Sequence, residues 1–69
     1  MENVPKIIST KDMAYLNDIF EWNFNLSKKA NHFSKEVSNE RIRNFLIDIS
    51  KMHADHCHII LNMLGDNYE

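Results

Sequence analysis

The stretch that decides the fold is residues 42–63, IRNFLIDISKMHADHCHIILNM, in which apolar side chains recur at alternating steps of four and three. Such steps mark the a and d positions of a heptad, the stripe by which one helix packs against another. Two consecutive positions of the stripe are histidines three residues apart, so both imidazoles project from one face of the helix. A buried imidazole needs a hydrogen-bond partner or a metal ion. The stripe consists of Ile42, Leu46, Ile49, His53, His56, Ile60 and Met63.

A second helix is predicted ahead of this one. Ser9 and Asp12 approximate a capping box, and the pattern predicts helices over about residues 11–37 and 39–64. Ser38 or Asn39 is a suitable N-cap for the second helix, and Gly65, the only glycine, stands where a helix-terminating residue belongs. The organisation expected is an irregular N-terminal arm over residues 1–8, a helical hairpin over 9–65 and a frayed tail over 66–69.

The first helix has a wider apolar arc than one helix partner needs, because bulky residues such as Phe24 and Trp22 flank its stripe. A 69-residue chain with one cysteine has no intrachain disulfide to support a two-helix hairpin. Two hairpins packed face to face would bury the remaining apolar surface. The fold class predicted is therefore all-α, a two-helix antiparallel hairpin that dimerises into a four-helix bundle.

The two histidines face polar residues of the first helix. Folding the hairpin about Ser38 brings Asn23 and Ser27 level with His53 and His56, which predicts a four-residue polar layer repeated by dimer symmetry. Three interpretations stay open. The layer hydrogen-bonds internally and fixes register, as a buried Asn does in a coiled coil. Alternatively, His53, His56 and Asn23 bind a divalent metal such as zinc together with the second chain. In the third, both rings reach out to solvent.

Other classes of function have weaker support. A net charge of −2 gives no electrostatic basis for nucleic-acid binding. No apolar run is long enough to span a membrane, and no signal peptide is visible, so a cytoplasmic location is expected. Cys57 is expected to be a buried, inert thiol. Nothing resembles a hydrolytic triad or a phosphate-binding glycine loop, so we expect no catalytic residues, no enzymatic activity and no cofactor other than such a metal.

Several short motifs carry a family resemblance. Tyr15-Leu16-x-Asp18-x-x-x-Trp22-Asn23, Lys28-Lys29-Ala30-x-His32-Phe33, Glu36-Val37 and Met52-His53-x-x-His56 resemble the small ferritin-like proteins of spore-forming Firmicutes related to the spore coat protein F domain. The resemblance covers roughly residues 9–64 and implies a hairpin that doubles into a ferritin-like bundle. His56 would stand at the histidine of the ferritin-type Glu-x-x-His motif, with His53 and Asn23 in place of its glutamates.

The resemblance also implies a place in or near the spore coat, with other coat proteins as partners. The function expected first is that of a non-enzymatic structural or interaction protein, working as a homodimer in the cytoplasm or the spore coat. The second is a metal-binding bundle that uses His53 and His56 of both chains. The third is a regulatory hairpin that docks on a partner protein through apolar surface the dimer leaves uncovered.

Overall fold

A computed structural model describes residues 9–66 of the chain, with the backbone alone at Asp66. Two α-helices account for nearly all of it: α1, Thr10–Ser34, and α2, Glu40–Asp66. They pack against each other as an antiparallel hairpin, and residues 9–66 contain no strand. The predicted all-α hairpin is confirmed. The predicted arm over residues 1–8 and tail residues 67–69 lie outside the described residues.

Both helices begin at the caps that the sequence indicates. The Asp12 backbone N–H donates to Ser9 Oγ over 3.1 Å, which is the N-cap bond at the start of α1. At the start of α2, the Ile42 backbone N–H donates to Asn39 Oδ1 over 3.0 Å. Each bond satisfies one of the free N–H groups of a first helical turn, so Ser9 and Asn39 determine where the helices begin.

The predicted end of α1 is three residues too late. The helix ends at Ser34, and residues 35–39 form the connection. The Arg43 guanidinium holds this connection, because Nε donates to the Ser34 carbonyl over 3.2 Å and Nη2 donates to the Val37 carbonyl over 2.9 Å. An arginine of α2 thus satisfies the Ser34 carbonyl, which the last turn of α1 leaves without a partner, and the Val37 carbonyl in the connection.

The sequence analysis predicted that Gly65 ends α2, and the structure shows that it does not. The helix runs through it to Asp66, and no described glycine has a positive φ. A Cβ added at Gly65 would meet no atom within 4 Å, so the position is open on every side. Glycine near a helix end costs only about 1 kcal/mol relative to alanine, which is too little to stop the helix by itself.

The helices meet along a stripe that shares Leu46, His53 and Ile60 with the predicted one, whereas its other four positions on α2 each lie one residue further along the chain. Its members are all buried or half-buried and follow heptad steps on both helices, whereas Ile42, His56 and Met63 of the predicted stripe are exposed. We call this contact the inner seam. It comprises Met13, Leu16, Phe20, Asn23, Ser27, Ala30 and Ser34 of α1, and Arg43, Leu46, Ser50, His53, Cys57, Ile60 and Leu64 of α2.

Large apolar side chains concentrate on one side of the hairpin, next to the inner seam. On α2 they follow a second heptad stripe over positions 42, 45, 49, 52, 56, 59 and 63, and on α1 a matching stripe starts at position 15. Tyr15 and Met63 line one surface pocket, so the two stripes share a side. We call the exposed members the apolar flank: Tyr15, Ile19, Trp22, Leu26, Phe33, Ile42, Phe45, Met52, Ile59 and Met63.

The opposite side of the hairpin is a shallow groove with a different character. Phe20 and Phe24 stack there with ring centroids 6.1 Å apart, and Lys28 Nζ lies 5.0 Å from the Phe24 ring centroid. Leu61 and His58 of α2 line the same groove. Neither helix combines the length and the apolar character that crossing a membrane requires, within the described part of the chain.

Candidate functional site

The candidate site is a cluster of three side chains around Asn23, which is only 8% exposed. Nδ1 of His53 lies 2.7 Å from Asn23 Oδ1, and Nδ1 of His56 lies 2.9 Å from the same oxygen. The two imidazoles meet edge to face, with ring centroids 5.6 Å apart. The structure therefore brings together the three residues that the sequence singled out as candidate metal ligands.

Hydrogen bonding fixes the orientation of the Asn23 amide and the tautomer of each neutral imidazole. Asn23 Nδ2 donates to the Ile19 carbonyl over 2.8 Å, so the amide cannot turn over and its oxygen points at the two rings. An amide oxygen only accepts hydrogen bonds, so both imidazoles must donate through Nδ1–H. In the neutral rings the proton is thereby placed on Nδ1, and Nε2 keeps a free lone pair.

Ser27, the fourth member of the predicted layer, does not join this cluster. Its hydroxyl donates to the Ser50 carbonyl over 2.9 Å, and the Ser50 hydroxyl donates to the Ser27 carbonyl over the same distance. The predicted pairing placed Ser27 opposite residues 52 and 53, because it assumed that α1 continues to residue 37. The five-residue connection changes the level at which the helices face each other.

Ser50 is a site residue that the sequence reasoning missed. It sits three residues before His53, on the same face of α2, and this spacing is the signal that could have found it. Ser50, Ala30 and Ser34 are small members of the inner seam. Small residues let the helix backbones approach closely, and the reciprocal serine bonds are possible only at such an approach.

The two histidines differ in their contact with solvent. His53 lies on the inner seam and is half-buried, whereas His56 lies on the α2 stripe of the apolar flank and is exposed. Both rings are anchored at Nδ1 by Asn23, so neither is a free side chain reaching into water. Cys57 is buried, with Sγ 3.6 Å from the Phe20 carbonyl, which confirms the predicted buried thiol.

The cluster does not fit a di-iron centre of the ferritin type. Such centres take a glutamate from each of two helices and a Glu-x-x-His pair from the others. Here the cluster consists of an amide and two imidazoles without a carboxylate, and within residues 9–66 no group of three histidine, cysteine or carboxylate ligands is gathered. A carboxamide that holds two Nδ1–H groups acts on the rings as an orienting group rather than as a ligand.

The fold and the cluster define a class: a small antiparallel helical hairpin with an Asn–His–His cluster between its helices and one side left apolar. Comparison with curated proteins finds a relative of the chain. The chain is 38% identical over 60 residues to the uncharacterised protein YuzM of Bacillus subtilis (strain 168), a match that covers 87% of this chain and 74% of the relative. The chain belongs to the same family as YuzM. No protein-family profile matches it, and no solved structure gives a significant match.

Proposed function

We propose that this protein is a non-enzymatic structural or interaction module that works as a homodimer, in which two hairpins join through their apolar flanks to form a four-helix bundle. The observation that carries the proposal is the apolar flank itself. Soluble monomers rarely expose a contiguous apolar patch of more than a few hundred Å². The described chain instead turns ten large apolar side chains outward on one side.

The size of the apolar flank matches what a stable dimer needs. Each of its ten side chains is between 41% and 66% exposed. A large side chain buries about 200 Å² when it is covered completely, so half of that for ten residues gives about 1,000 Å². A specific protein interface buries about 800 Å² on each partner. One flank covered by another therefore accounts for a standard interface, without help from the opposite groove.

A second copy is the occupant that the pattern favours. The two stripes that form the apolar flank, one on α1 and one on α2, both repeat at heptad spacing. This spacing suits packing against helices of about the same length. A two-fold axis brings the same surface from both subunits together, so a single apolar side is self-complementary by symmetry. The hairpin alone buries only Ala30, Cys57 and Ile60 among the apolar residues described, which is a small core for 69 residues.

Sedimentation equilibrium with a matched pair of variants tests the proposal. Leu26 on the apolar flank is 47% exposed, and Leu61 in the opposite groove is 50% exposed. We expect the wild-type chain to be a dimer at micromolar concentration in EDTA, Leu26→Glu to be monomeric or unfolded, and Leu61→Glu to remain a dimer. A wild-type chain that sediments as a monomer and has the circular dichroism spectrum of a folded helical protein would refute the dimer. That result would favour the apolar flank as a docking face for another protein.

The proposal extends to the arrangement of the bundle and to its place in the cell. The resemblance to the spore coat protein F group supports a ferritin-like arrangement of the four helices and an association with the spore coat. A test is immunodetection in fractionated sporulating cells. Recovery of the protein in the coat fraction would support this location, and confinement to vegetative cytoplasm would contradict it.

A further inference from the structure

The hydrogen bonds at Asn23 leave the two histidines with acceptors only. Both Nδ1–H groups are used on Asn23 Oδ1, at 2.7 and 2.9 Å. The remaining polar atom of each neutral ring is Nε2, which carries a lone pair and no proton. The two nitrogens of an imidazole lie on different edges of the ring, so Nε2 is directed away from Asn23.

The position of His53 and His56 places them at the interface of the proposed dimer, and the inference rests on that dimer. His56 lies in the middle of the α2 stripe of the apolar flank, between Met52 and Ile59. A two-fold dimer through this side brings a second His53–Asn23–His56 cluster to the same interface. Four Nε2 acceptors then enter a region of apolar side chains, and acceptors cannot pair with one another. A buried acceptor without a donor destabilises the interface that contains it.

We propose that a divalent metal ion of the zinc type bridges the two subunits here, bound by Nε2 atoms of His53 and His56 from both chains. Imidazole nitrogen is a preferred ligand of Zn²⁺. Metal-bound histidines commonly donate their other ring N–H to a carbonyl or carboxylate oxygen, which is the role that Asn23 fills here. In the neutral rings the Nε2 atoms carry the free lone pairs that a metal ion needs.

The geometry explains why two chains are required. The ring centroids of one cluster are 5.6 Å apart, and both rings are held by the same Asn23 oxygen. One chain therefore offers two imidazole ligands, fewer than the four that a structural Zn²⁺ site takes. Residues 9–66 of one chain also gather no third ligand around the pair. The coordination sphere is consequently incomplete until the partner subunit supplies its own imidazoles.

Untagged protein stripped with EDTA provides the test, with Zn²⁺ followed by titration calorimetry and Co²⁺ by its visible absorption. We expect one or two ions per dimer and a dimer dissociation constant at least tenfold lower with Zn²⁺ than in EDTA. His56→Gln should abolish binding, and Asn23→Ala should weaken it by about 10- to 100-fold. His58→Gln and His32→Gln alter exposed histidines outside the cluster and should bind as the wild type does.

The outcomes separate this inference from the proposed dimer. A dimer in EDTA that Zn²⁺ does not tighten would overturn the metal site and leave the dimer standing. Metal binding by Leu26→Glu monomers with wild-type affinity would overturn the bridging role. Trp22 carries an N–H donor on the same flank, so Trp22→Phe is a further check. If that change weakens the dimer in EDTA and no metal binds, Trp22 rather than an ion satisfies the imidazoles, and the inference fails.

Discussion

Replacing both histidines by leucine should destabilise the protein unless Asn23 is replaced as well. In His53→Leu/His56→Leu the Asn23 Oδ1 loses both of its donors while the side chain stays 8% exposed. A buried carbonyl oxygen without a partner costs about 1–3 kcal/mol. Adding Asn23→Leu removes that orphan oxygen and leaves an apolar layer. Replacement of a whole buried polar cluster by apolar residues is often neutral or stabilising.

The expected difference between the two variants is large enough to measure. We expect the triple variant to exceed the double variant by about 2 kcal/mol in free energy of unfolding. For a domain of this size that corresponds to about 8–16 °C in melting temperature. Urea and thermal unfolding in EDTA, followed by circular dichroism at equal chain concentrations, give both quantities. EDTA removes any contribution of bound metal from the comparison.

A matched control removes the effect of helix propensity. Asn25 is an exposed asparagine on α1 two residues away, so Asn25→Leu carries the same change in intrinsic helix preference. The combination His53→Leu/His56→Leu/Asn25→Leu should not regain the stability that Asn23→Leu restores. If the triple variant with Asn23→Leu is no more stable than this control, the oxygen of Asn23 does not depend on the histidines, and the account of the cluster is wrong.

Two further predictions concern the ends and the interior of the hairpin. In urea titrations, Arg43→Ala should lower the free energy of unfolding by about 1–3 kcal/mol, because it leaves the Ser34 and Val37 carbonyls without a donor. The control Arg41→Ala, at an exposed position, should change the free energy of unfolding by less than about 0.5 kcal/mol. Native Cys57, 8% exposed, should react with iodoacetamide at least about a hundredfold more slowly than in urea. Equal rates would show that the inner seam opens freely.

Much of the fold follows from local sequence. Ser9 and Asn39 are short polar side chains ahead of long stretches without glycine or proline, and each caps a helix as predicted. Apolar periodicity indicated two helices of nearly the right length. The end of α1 escaped prediction because it depends on Arg43, a residue nine positions further on that reaches back to the Ser34 carbonyl. Periodicity within α1 alone carries no information about that contact.

The three members of the Asn–His–His cluster were predicted, whereas the pairing of Ser27 with Ser50 was not. Asn23, His53 and His56 do come together, because a hairpin with a short connection leaves few ways to align its helices. The predicted stripe of α2 took Ile49 and His56 as contacts between the helices, where the structure has Ser50 and Cys57. Side-chain size in the sequence could not show which stripe makes the contact. Two stripes on one helix have the same heptad spacing, and only the close approach of the helices selects the stripe with the smaller side chains.

The distribution of side-chain size has a consequence for how this chain tolerates mutation. In most small domains the damaging substitutions remove bulk from the interior. Here Ser27, Ala30, Ser50 and Cys57 occupy positions of the inner seam, so at these positions added volume is the greater hazard. A deep mutational scan should show Ala30, Ser27 and Ser50 rejecting larger residues more strongly than Phe45 or Ile59 reject smaller ones. The positions most sensitive to added volume would be those at which small side chains pack between the two helices.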